Sequence, residues 1–103
     1  MTVNRTCVLL TLTMLLPFAA ATAQSADALY KSKCAMCHGA TGTPNPAMAN
    51  AMGIKPVSDP AIQKLTADDM AATVKNGKGK MKPVAGLTDA QVKDVVAYYR
   101  GLK

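Results

Sequence analysis

Cys34-Ala35-Met36-Cys37-His38 sets two thiols three positions apart and an imidazole directly after the second. Residues three apart on one helical turn share a face, so the two sulfurs and the ring project together. A structural zinc ion needs four protein ligands, and only one cysteine pair and one histidine are at hand here. The third cysteine, Cys7, is remote in sequence and lies in a segment read below as removed. A thioredoxin-like dithiol sits where a strand runs into a helix, but no alternating or β-branched run precedes Cys34. A plain disulfide gives no reason for His38. Covalent attachment of a haem accounts for all three side chains. The thiols add across its two vinyl groups and the imidazole lies under the iron.

Export fits this chemistry. In residues 1–23, Arg5 gives a positive start, Val8 to Leu16 form an apolar stretch, Pro17 ends it, and Ala21-Thr22-Ala23 fits a signal-peptidase site. The division expected is a secretory signal peptide over 1–23 and one domain over 24–103. The apolar stretch is short for a membrane span and no second one follows, so the mature chain is expected to be soluble, monomeric and periplasmic. Cys7 leaves with the signal. The mature part has no Trp and no Phe, only Tyr30, Tyr98 and Tyr99 as aromatic residues. Eighty residues with so few large side chains make a thin core. A buried porphyrin would supply the missing apolar bulk.

Helix signals run through the mature chain. Ser25 can cap a helix ending at Gly39, with Tyr30, Cys34 and Cys37 on one face against the haem. Thr66 with Asp69, and Thr88 with Gln91, match the capping-box pattern. Leu65 and Met70, then Leu87 and Val92, are placed as hydrophobic staples. These predict helices ending at Asn76-Gly77 and at Gly101. In the last, Val92, Val95, Val96, Tyr99 and Leu102 form an apolar stripe. Asp59-Pro60 starts a shorter turn with Ile62 and Leu65 facing inward. Residues 39–58, rich in Gly and Pro, are expected to wander without forming an element. The fold class is all-α: three main helices plus a short one wrapped around one covalent haem.

Gly77-Lys78-Gly79-Lys80-Met81-Lys82-Pro83 sets a methionine where no amphipathic helix explains it. His38 is the only histidine in the chain, which excludes a second imidazole on the iron. The sixth position is left to Met, Lys, water or nothing. Met81, on a glycine-flanked loop, is the candidate, and a thioether there favours ferrous iron. Met36 lies inside the attachment turn, Met70 on a helix stripe, and Met48 and Met52 suit gaps along the haem rim. Met52 and Met48 are the next candidates.

With these residues in view, the mature chain resembles the small single-haem class I cytochromes c of the bacterial periplasmic or photosynthetic-lumen type. The likeness is carried by Tyr30 before CAMCH, the Gly/Pro loop, the NGKGKM approach to Met81 and the closing VVAYYRGL helix. It implies a first helix crossing the last near Tyr30 and Tyr98. It also implies a proline carbonyl, of Pro44 or Pro46, holding Nδ1 of His38. Two departures stand out: Lys82 separates Met81 from Pro83, and no Trp is present to meet the propionates. In photosynthetic relatives the compartment is the thylakoid lumen.

Without Arg5, the chain's 12 basic residues become 11 against 6 Asp and no Glu. Lys78, Lys80 and Lys82 flank Met81, and Lys31 and Lys33 flank the attachment turn. Such a field steers acidic docking surfaces of redox partners, a membrane reductase or oxidase or a photosynthetic complex, toward the haem edge. No aromatic-interleaved basic element suggests nucleic acid. The function expected is an electron carrier, not an enzyme, with Cys34 and Cys37 holding haem c and His38 and Met81 binding its iron. A peroxidase-like enzyme or diatomic-gas sensor would need an open iron position, and no second His or Glu is present for acid-base chemistry. A subunit of a larger redox complex would share the same chemistry.

Overall fold

A computed structural model describes residues 24–102, so the expected signal peptide and Cys7 lie outside the described residues. Six helical segments follow one another: α1 (Ala26–Lys33), α2 (Ala35–His38), α3 (Pro46–Met52), α4 (Pro60–Gln63), α5 (Ala67–Asn76) and α6 (Asp89–Arg100). Among the described residues no strand forms, and the one β-bridge pairs Lys78 with Met81.

The helix ends follow the sequence signals closely. Thr66 and Thr88 each accept a hydrogen bond from the third helical residue, and the side chains of Asp69 and Gln91 accept one from the cap amide, completing both capping boxes. Asp59 caps α4 with Pro60 at its first position. Ser25 accepts from the Ala28 amide at the start of α1.

Two expectations need correction. The single helix from Ser25 to Gly39 is broken at Cys34, whose backbone (φ −120, ψ −38) leaves helical geometry before α2 resumes. The region 39–58 is not all loop. Asn45 accepts from the Met48 amide, Pro46 opens α3, and Gly53 closes it in the left-handed region. These are the same start and stop signals that mark α4, set here among enough Gly and Pro to read as a loop.

α6 packs against both α1 and α5. On one side Val95 joins Leu29 and Tyr30, and on the other Val92 and Val96 join Met70 and Val74. Burying each such side chain contributes roughly 1.5–3 kcal/mol. At the solvent edge of the α1 and α6 contact, the Tyr98 hydroxyl donates to Asp27 at 2.9 Å. Lys75 and Asp89 form an ion pair between α5 and the start of α6. The three helices leave their inner faces turned toward one cleft, which α2, α4 and the segment after α5 complete.

Candidate functional site

The cleft holds a cavity of about 130 Å³ and opens to solvent on one side. Its walls are almost wholly apolar. Ile62 and Leu65 come from α4 and its exit, Met70 and Val74 from α5, and Val95 and Val96 from α6. Tyr30, Cys34, His38, Thr73, Met81 and Tyr99 complete it. The site therefore brings together three of the four residues expected to hold a cofactor: Cys34, His38 and Met81. Cys37, one turn from Cys34, does not line the cleft; its thiol is half-buried and not joined to Cys34.

Tyr30 fixes the attachment turn. It is essentially buried, and its hydroxyl donates to the Gly39 carbonyl at 2.6 Å. Its ring lies 5.2 Å from Tyr98 and 6.1 Å from Tyr99, centre to centre. Tyr99 meets the His38 ring edge-on at 5.5 Å. One stack of rings from α1 and α6 thus holds the imidazole in place.

Burial sets the chemistry of the donors. It pushes the Cys34 thiol up, so the thiolate needed for disulfide exchange is disfavoured. It lowers His38, favouring the neutral imidazole that a metal takes. Nδ1 of His38 is buried with no hydrogen-bond partner among the described residues. Neither the Pro44 nor the Pro46 carbonyl makes the bond expected of it. The two prolines differ, however: Pro44 is buried and Pro46 exposed. The backbone of Thr43 and Pro44 presses on Gly39, where a Cβ would stand 2.0 Å from the Thr43 carbonyl oxygen.

Met81 is presented by a tight turn. The amide of Lys78 donates to the Met81 carbonyl at 2.9 Å and the amide of Met81 to the Lys78 carbonyl at 3.0 Å. Met48 and Met52 are half-buried on α3 and do not line the cleft. Met36 is 83% exposed between the two attachment cysteines. Lys33, Lys78 and Lys82 are exposed with no ion pair among the described residues, whereas Lys80 is engaged by the protein itself, its ammonium donating to the Ala51 carbonyl. That bond, the Tyr99 contact and the cleft position of Thr73 were not read from sequence. The α6 stripe placed Val95 and Tyr99 against the first helix or the haem, and they meet both α1 and the cleft.

An apolar cleft holding one half-buried imidazole and one thioether, with two thiols at its attachment turn, suits an iron porphyrin bonded through vinyl groups. The donor set is nitrogen and soft sulfur, with no carboxylate among the cleft residues. Among the described residues no group of three or more His, Cys, Asp or Glu gathers to hold a bare metal ion.

Residues 21–98 match the family model described as cytochrome c oxidase, cbb3-type, subunit III. The KustC0563 c-type cytochrome shares 28% sequence identity, with a TM-score of 0.69 over 78% of this chain and 99% of that one. A tyrosine-to-phenylalanine mutant of that cytochrome shares 26%, with a TM-score of 0.67 over 78% of this chain and 100% of its own. No curated protein gives a significant match.

Proposed function

The chain belongs to the family of c-type cytochromes described as cbb3-type cytochrome c oxidase, subunit III, and from that premise we propose an exported, diffusible one-electron carrier. Its fold is the all-α fold of small cytochromes c, and membership of the family makes covalently bound haem c its cofactor. When bound, that group supplies a single electron by cycling between ferric and ferrous iron.

In this reading Cys34 and Cys37 would carry the thioether links, and His38 and Met81 would bind the iron. The observation that carries it is that His38 and Met81 line one apolar cleft. His38 enters the site neutral, and Tyr99 sets its ring plane. A proline carbonyl, of Pro44 or Pro46, would accept the Nδ1 hydrogen bond; the burial of Pro44 beside Gly39 supports the former. Ile62, Leu65, Val74, Val95 and Val96 exclude water, so the charge change at the metal meets a constant environment. The cleft offers no acid-base pair, and an electron needs none. Lys33, Lys78 and Lys82 remain available to meet acidic surfaces of redox partners.

The deciding experiment compares the near-infrared sulfur-to-iron absorption band of the oxidised protein with that of Met81→Ala. The band is expected in the parent and absent from the mutant. A high-spin parent without it would instead describe an open iron position.

A second reading, a dedicated subunit of a larger redox complex, is favoured by the description of the matched family, which is that of an oxidase subunit. No helix among the described residues is long and apolar enough to cross a membrane. Purification from mild detergent extracts separates the two. The carrier is expected to elute alone, and stoichiometric co-elution with a membrane complex identifies the subunit.

A further inference from the structure

Residues 77–86 form a strap whose two ends are tied to α5. At one end the Gly77 amide donates to the Thr73 carbonyl at 2.8 Å, and at the other the Val84 amide donates to the Val74 carbonyl at 2.9 Å. Between them the strap turns at Gly79 and Lys80, the two residues enclosed by the paired Lys78 and Met81. Met81 and Lys80 therefore move as one unit.

Lys80 reaches out of that unit. Its Nζ donates to the Ala51 carbonyl at 2.8 Å, 29 residues away in sequence. Ala51 lies in the last turn of α3, where carbonyls lack partners within the helix. The amides beyond it are committed elsewhere: those of Gly53 and Ile54 both donate to Ala49. A lysine ammonium is a suitable donor to such a carbonyl. Among the described residues this is the only side-chain hydrogen bond from the turn of the strap to another element, and it joins the strap to α3.

We infer that Lys80 is a positioning residue for Met81: by latching the turn to the end of α3, it holds the strap closed so that the thioether stays at the metal. The inference rests on Met81 as axial ligand. It separates the three strap lysines by role, leaving Lys78 and Lys82 to face partners while Lys80 serves the fold of the site. Charge alone does not explain the arrangement, because Lys78 and Lys82 carry the same charge within two residues and make no such bond.

The test uses the full holoprotein and four forms: parent, Lys80→Ala, Lys80→Arg and Lys78→Ala. Two quantities are read in each, the near-infrared sulfur-to-iron band and the rate at which saturating imidazole displaces the sixth ligand, which is limited by strap opening. Loss of one charge-assisted hydrogen bond is expected to speed displacement in Lys80→Ala about five- to tenfold. Lys80→Arg, which can still donate to Ala51, should return close to the parent rate, and Lys78→Ala should match the parent. The latch is overturned by a parent-like rate in Lys80→Ala, by arginine doing no better than alanine, or by equal acceleration in Lys78→Ala. A parent without the band overturns the ligation reading and this inference with it. A parent with the band but an unaccelerated Lys80→Ala overturns the latch alone.

Discussion

The helical frame of α1, α5 and α6 and the rim built from residues 39–58 and the strap 77–86 are held by different means. All the buried hydrophobic residues except Val57 lie on the three frame helices, and both capping boxes belong to the frame. The rim has few buried side chains. It is fixed by backbone closures, within the rim from Val57 to Gly42 and between Lys78 and Met81, and onto the frame from Gly77 to Thr73 and Val84 to Val74. Apolar packing sums many small contributions and tolerates the loss of one. A closure depends on one or two close approaches and does not. The rim is accordingly the part most exposed to single-residue failure.

The sharpest way to break this comparison is at Gly39. It adopts φ +80, and a Cβ there would meet the Thr43 carbonyl carbon at 2.7 Å and its oxygen at 2.0 Å. Backbone must move, and it must move beside His38. Gly39→Ala is expected to cost about 2–4 kcal/mol by denaturant unfolding of the holoprotein. Gly53, at φ +67 with open space around it, provides the control, where alanine should cost only the intrinsic ~1–2 kcal/mol of the left-handed conformation. Equal losses at both positions would show that the closure on Gly39 carries no more than ordinary turn strain.

What could be read from sequence divides along the same line. α5 and α6 were legible because Thr66 with Asp69 and Thr88 with Gln91 are local signals that act within one turn. α4 was legible from Asp59-Pro60. α3 carries an equivalent pair in Asn45-Pro46 and a stop at Gly53, but the surrounding Gly and Pro outweighed them. The break at Cys34 has no composition signal. The attachment turn announced its chemistry through spacing alone, and the exclusion of a second histidine needed only a count. Tyr30 to Gly39, Tyr99 to His38 and Lys80 to Ala51 join residues from different elements, and only tertiary structure brings them together. The burial of Pro44 and the exposure of Pro46 are likewise tertiary facts that sequence does not carry.

On the frame, losses should be smaller and should not reach the metal. Thr88→Ala removes the side-chain half of one capping box while leaving the α6 stripe intact. It is expected to cost about 1 kcal/mol with an unchanged visible spectrum. Differential unfolding and an absorption scan on the same sample check both parts. A changed near-infrared band in this mutant would mean that frame and rim are coupled more tightly than their contacts indicate.

The smallest effect is expected where the frame meets solvent, at Asp27 and Tyr98. The Tyr98 hydroxyl, and then Lys31, hold the Asp27 carboxyl below its ordinary value of 3.8. A carboxylate depressed in the folded state stabilises it fully above the unfolded value and loses that contribution as pH falls through the lower folded one. Asp27→Asn keeps an acceptor for Tyr98 but cannot carry the charge. The parent should therefore melt above the mutant at neutral pH, and the gap should close as pH falls through the lowered folded-state value and the parent's own carboxyl is protonated. Asp69 and Asp89 are depressed as well and titrate in both proteins, so the informative quantity is the difference between the two melting curves at each pH. A gap that persists unchanged into acid would assign the loss to altered packing of α1 on α6 instead of to the charge. The charge of Asp27 would then contribute nothing to the crossing of first and last helix, which the apolar contacts of Leu29, Tyr30 and Val95 and the neutral part of the Tyr98 bond would hold.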